Sequence, residues 1–180
     1  MRPIVLLFLS LIILGCAKAI PRKPVVVKSG TLIQRSIAIN KQIKEQEEAR
    51  ILRIVNRDTL NKYLNSGNGF WYFYTQKDSL NTPTPKTGDL VNFSYNIKNL
   101  NGEIIYSKSD LKDKNYRIDK EELIFGLREG LKLLKVNESA TFMFPSHLAY
   151  GFYGDLEKIG RNTPIISEVT LNSIQKINEN

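Results

Sequence analysis

Between residues 90 and 99 apolar and polar side chains alternate without a break. Val91, Phe93, Tyr95 and Ile97 fall on one side of an extended backbone, and Asn92, Ser94, Asn96 and Lys98 on the other. A period of two predicts an antiparallel strand with one face in a core and the other toward solvent. Asn101-Gly102 follows, a pair suited to a tight hairpin, and EIIYS returns as the next strand. FWYFYT, from Phe70, reads as a dense aromatic strand. SATFMFP turns Ala140, Phe142 and Phe144 inward, and PIISEVTLNSI puts Ile165, Ser167, Val169 and Leu171 on one face. The period changes between residues 121 and 134. Leu123, Leu127, Leu131 and Leu134 recur at helical spacing, with Gly126 and Gly130 on another face, where a helix can lie close on a sheet. The pattern predicts an α+β domain over residues 70–177, an antiparallel twisted sheet wrapped on one short helix.

Residues 36–64 contain neither Gly nor Pro. Ile39, Ile43, Ile51, Ile54, Val55, Leu60 and Leu64 fall partly at three-four spacing around a charged middle, Glu45 to Arg50. This predicts a helical spacer over residues 36–66, closed by the glycines of SGNG. Its carboxyl end is expected to pack on the domain. The alternative is a dimer or partner helix, although no heptad survives the charged middle.

The chain opens with Arg2 and an apolar run from Ile4 to Leu14. As a helix this run spans about 16 Å, too short for a hydrocarbon core of about 30 Å, and it reads as the apolar part of a signal peptide over residues 1–15. Ile13-Leu14-Gly15-Cys16 resembles the lipobox of bacterial lipoproteins, which implies lipidation of Cys16 and a membrane anchor. An ordinary cleaved signal with an incidental Cys is the other reading. Residues 16–35, with two prolines and no acidic residue, read as a flexible tether.

Composition removes several functions. Lys and Arg number 26 against 18 Asp and Glu, giving a net charge of +8, but the positive charges are scattered and predict a solvated surface rather than nucleic-acid binding. The single Cys excludes an internal disulfide. With one His and no HExxH or CxxC, no metal is expected. Lys86-Thr87-Gly88 matches a β-lactamase word, but the SxxK after it, from Ser173, is in the wrong order. Glu121-Glu122 reads as a solvated helix start rather than an acid–base pair, and no phosphate-binding glycine loop is present.

The ordered words VNFSYN, NGEIIYS, ELIFGLREGLKLLKVNES, ATFMFPSHLAYG and IISEVTL cover about half of the chain. They resemble the FKBP-type peptidyl-prolyl isomerases. With the lipobox, the long helix and the GFWYF lead-in, the chain is similar to the gliding-motility-associated isomerase lipoproteins of Bacteroidetes. The resemblance implies an isomerase without cofactor, acting on proline-containing polypeptide clients. Its compartment would be the periplasmic face of an envelope membrane, the outer one favoured, with envelope or motility machinery as partners.

The resemblance also implies a site. Within PSHLAYG it makes Tyr150 the substrate-facing hydroxyl and leaves His147 a turn residue. Tyr95 lines the wall, and the backbone N–H of Ile124 holds a substrate carbonyl. Tyr116, Leu123 and Ile159 complete the pocket. The family pattern is broken at Ile105-Tyr106, where Phe-Asp is usual, at Leu127, where Trp forms the floor, at Ser167, where Phe is usual, and at Gly160-Arg161, where a loop carries Pro-Pro. The losses at Leu127 and Ser167 remove two aromatic walls, each worth a few kcal/mol of burial, and predict weak isomerase activity, with Tyr106 able to refill part of the space. An FKBP-like binding or scaffold module with little turnover is the second reading.

Overall fold

The structure is a computed structural model that describes residues 29–78 and 82–176; the leader, Cys16 and most of the tether lie outside these residues. Helix α1 spans Ser29–Arg57, so it starts and stops earlier than its composition predicts. Its stop is local. The Asp58 carboxylate accepts the backbone N–H groups of Leu60 and Asn61 at 3.0 and 3.3 Å, offering the chain an alternative to the next helical turn. Leu60 is consequently exposed, and Leu64 joins a strand. The chain divides into two compact units after Ser36, so α1 from Ile37 onward belongs with the sheet.

The strands are β1 (Leu64–Asn65), β2 (Trp71–Gln76), β3 (Leu90–Tyr95), β4 (Ile97–Lys98), β5 (Ile104–Tyr106), β6 (Lys114–Arg117), β7 (Ser139–Phe144) and β8 (Ile165–Gln175). Two short helices, α2 (Lys108–Leu111) and α3 (Phe125–Leu131), complete the fold. All pairings are antiparallel, in the order β1-β2-β7-β8-β3-β6, with the β4–β5 hairpin attached to β8. The hairpin turns where predicted, with Gly102 at φ +88° and its N–H donating to the Asn99 carbonyl. β1, β6 and α2 carry too little apolar alternation to be read from sequence. α3 is shorter than the leucine spacing predicts, and Glu121 to Ile124 approach it as extended chain.

The front of the sheet holds the core. Val91, Phe93, Ala140, Phe142, Phe144, Ile165, Val169 and Leu171 are buried there with Leu127, Leu131 and Leu134. The glycines of α3 are required by contact. A Cβ at Gly126 would lie 2.5 Å from the Phe144 ring, and one at Gly130 would lie 3.0 Å from Phe142. Phe142 and Phe144 lie parallel, 5.6 Å between ring centres, with Phe70 edge-on to both. The back is not the solvated face that alternation predicts at β7 and β8. Met143 and Ile166 are buried there beneath Ile51 of α1, so α1 packs its carboxyl half on the domain.

Candidate functional site

Where β3 ends and α3 begins, the front of the sheet opens into a cavity of about 540 Å³. Tyr95 reaches it from the last position of β3, since the period of two points residues 91, 93 and 95 to the front. Leu123 and Ile124 border it from the extended approach to α3, and Leu127 from the first turn of that helix. Tyr150 enters from the loop after β7. That loop starts as a single 3₁₀ turn, Ser146–Leu148. The Ser146 carbonyl accepts the N–H groups of Ala149 and Gly151 at 2.9 and 2.8 Å. Gly151 has φ +64°, a left-handed conformation that glycine adopts without strain.

Two phenols therefore share one cavity. Burial pushes both Tyr150 and Tyr95 up from the ordinary phenol value, Tyr150 further, with its neighbours Tyr95, Asp155 and Tyr106 adding to the effect. Both are neutral hydrogen-bond donors over the physiological range. Among the described residues neither hydroxyl is bonded to another protein group. The rim is charged, carrying Lys114, Glu121, Glu122 and Arg128. Arg128 stacks on the Phe125 ring and lies 3.5 Å from Asp119. Asp119 also meets Lys132 at 3.0 Å and the Thr87 hydroxyl at 2.7 Å. Burial alone would raise the Asp119 carboxyl, but these partners outweigh it and hold it below the usual range.

The structure brings Tyr95, Leu123, Ile124, Leu127 and Tyr150 together. The other five pocket residues of the sequence reading stand elsewhere. Tyr116, on β6, is fully buried, and its hydroxyl oxygen accepts the Asp119 N–H at 3.2 Å. Ile159 is buried in the core. Ser167 faces inward and is sealed, donating to the Asn96 carbonyl at 2.7 Å. Ile105 packs half-buried against the core.

Tyr106 does not refill the cavity. Its hydroxyl donates to Asp155 at 2.6 Å and lies 3.2 Å from Glu157, and Lys158 caps its ring. The bond to Asp155, then burial, raises this phenol to about 12. Where the family pattern has an Asp on β5, this chain has Tyr106, and the carboxylate comes from Asp155 on the facing loop. There Asp155 also accepts the N–H groups of Glu157 and Ile159. The charged rim was not foreseen. Glu121 and Glu122 are exposed, in keeping with their reading as solvated groups, and the approach to α3 also brings them to the edge of the cavity. His147 is exposed on the 3₁₀ turn and does not line the cavity.

Comparison with known proteins follows the same lines. The probable FKBP-type peptidyl-prolyl cis-trans isomerase FkpA of Neisseria meningitidis serogroup B is 28% identical over 139 residues, 77% of this chain and 49% of that protein. The chain thus spans about half the length of this curated relative. A peptidyl-prolyl cis-trans isomerase structure from Pseudomonas syringae pv. tomato superposes with a TM-score of 0.60 at 18% identity, covering 76% of this chain and 96% of that one. The N-terminal domain of FKBP42 from Arabidopsis thaliana gives 0.58 at 14% identity, covering 66% and 96%. These two likenesses are of fold. The family model for FKBP-type peptidyl-prolyl cis-trans isomerases matches residues 82–172, a span that contains every residue lining the cavity, and the chain belongs to that family.

Proposed function

We propose that the cavity between Tyr95 and Tyr150 isomerises X-Pro peptide bonds in polypeptide clients. The observation that carries this reading is the pair of neutral phenols without partners among the described residues, set beside the apolar side chains of Leu123, Ile124 and Leu127. Uncatalysed isomerisation takes tens to hundreds of seconds because twisting the amide removes its resonance, a barrier of about 18–20 kcal/mol for peptide bonds. The twisted amide is less charge-separated than the planar one, so transfer into an apolar cavity penalises it less. Tyr150 would donate to the substrate, and the Ile124 N–H would hold a substrate carbonyl. Interactions made to the twisted form alone accelerate the reaction. No nucleophile, metal or cofactor enters this scheme.

Lipidation at Cys16 would tether the domain to the periplasmic face of an envelope membrane, the outer one favoured by the absence of acidic residues after Cys16. Exported or envelope proteins, motility components among them, would be its clients. The second reading, a scaffold module of an envelope complex with little turnover, draws on Leu127 in place of a large aromatic floor, on the sealed Ser167 and on Tyr106, whose hydroxyl is bonded to Asp155.

Turnover of short X-Pro peptides by the purified full chain separates the two. The isomerase reading expects catalysis that falls about tenfold in Tyr150→Phe, the worth of one well-placed hydrogen bond. A folded chain with no rate above the uncatalysed one leaves the scaffold reading. For the tether, Cys16→Ser is expected to move the protein from the membrane to the soluble fraction of producing cells; continued membrane association would refute the anchor.

A further inference from the structure

Glu47 breaks the rule that built α1. Ile43, Glu47 and Ile51 stand four residues apart on the stripe of α1 that faces the sheet, and an apolar residue at the middle position would complete it. The side chain there is a carboxylate, and it is 4% exposed. Burying a carboxylate costs several kcal/mol unless hydrogen bonds replace its water. Both of its oxygens are spent on one residue 99 positions away. Oε2 accepts the Ser146 backbone N–H at 2.7 Å, and Oε1 accepts the Ser146 hydroxyl at 2.8 Å. Ser146 is itself buried, 3% exposed. Its carbonyl then accepts the N–H groups of Ala149 and Gly151. Tyr150 stands between those two residues. An unbroken series of hydrogen bonds thus runs from the middle of α1 to both neighbours of the cavity phenol.

We infer that Glu47 is a positioning residue of the isomerase site, fixing through Ser146 the turn that presents the Tyr150 hydroxyl. The inference rests on the isomerase reading of the cavity and deepens it: a helix outside the matched family span sets the geometry of a loop within it. It also accounts for a charge on an otherwise apolar stripe. Leucine at position 47 would serve packing alone, but leave the Ser146 N–H and hydroxyl without acceptors. Lys44 and Glu48, the other charged groups near this turn, act on His147 at longer range, whereas Ser146 donates to Glu47.

The test uses the full chain as wild type, Glu47→Leu and Glu47→Gln, each with and without Tyr150→Phe. Glu47→Leu keeps the stripe apolar and the helix packed, with Glu47→Ala in its place should the longer side chain not fold. The expected result is a fall of about tenfold in kcat/KM for Glu47→Leu, carried by kcat, because a displaced donor weakens the twisted state. On the Tyr150→Phe background the same change should cost less than about twofold, since groups acting through one another are not additive. Glu47→Gln, whose amide can satisfy both Ser146 groups, should stay within about twofold of wild type. Equal losses on both backgrounds, or full turnover in Glu47→Leu, would overturn the inference. Amide hydrogen exchange separates its failure from that of the isomerase reading. Even in a chain without turnover, Ala149 and Gly151 should exchange at least about tenfold faster in Glu47→Leu while Val169 is unchanged; unchanged exchange at both loop amides would refute the link outright.

Discussion

The two faces of β7 and β8 are made from the same strands and are built on opposite plans. On the front, Phe142 and Phe144 of β7 lie against the two glycines of α3, so close that a Cβ at Gly126 would clash with Phe144 and one at Gly130 would press on Phe142. On the back, Met143 and Ile166 meet Ile51 of α1 in a small cluster, and α1 is tied to the loop after β7 by the bonds from Ser146 to Glu47. The front buys uniqueness by shape. The back achieves attachment by a few specific bonds, and those bonds reach the loop that carries Tyr150. Stability is concentrated on one face, and the geometry of the candidate site is shared between both.

Substitutions of graded severity would break or sharpen this contrast, with urea denaturation as the measurement throughout. Phe142→Ala, on the front, should cost the most, about 4 kcal/mol, because it opens a cavity between two stacked rings and α3. Gly126→Ala should follow at about 3 kcal/mol, since the fully buried Phe144 ring cannot swing away from the new Cβ. Ile51→Ala, on the back, should cost about 2 kcal/mol, at the low end for a buried isoleucine, because a helix packed through a small apolar cluster can settle into the gap. A back-face loss exceeding that of Phe142→Ala would reverse the contrast.

The smallest effect concerns Glu168. Burial raises its carboxyl, but the bonds from Lys98 and Asn96 outweigh that and hold it below the ordinary range. Its folded value lies below its unfolded one, near 4.3. The stability it contributes is therefore complete above that value and is lost as pH falls through the folded value. Glu168→Gln should lose a fraction of about 1 kcal/mol at neutral pH and should show a shallower decline in acid than wild type. Parallel acid profiles for the two proteins would remove Glu168 from the account.

How far sequence carried the fold depended on whether neighbours along the chain were also neighbours in space. Strong alternation made β3 and the inward residues of β7 and β8 legible, and Asn101-Gly102 fixed the hairpin. Gly126 and Gly130 announced a close helix–sheet approach four residues apart. The end of α1 was missed because Asp58 stops it through a turn of its own rather than through the glycines beyond. The buried back face was missed because alternation within a strand says nothing of a distant helix laid over it.

The candidate site divided in the same way. Tyr95, Leu123, Ile124, Leu127 and Tyr150 meet because the resemblance orders the elements that carry them. The bond from Tyr106 to Asp155 is not legible in the sequence, because Asp155 lies 49 residues away, on a loop whose path no local pattern specifies. Glu47 was invisible for a like reason: in sequence it is one more charge in a charged middle.

The position of β8 has a consequence for how such a chain is made. In the order β1-β2-β7-β8-β3-β6, this strand, the last to be synthesised of those described, is the one that joins β2 and β7 to β3 and β6. Until Ile165 to Gln175 emerge, β1-β2-β7, β3-β6 and the β4–β5 hairpin have no strand to join them. The sheet is therefore complete only once β8 is made, and during that interval the strands have the unpaired edges that invite chaperones.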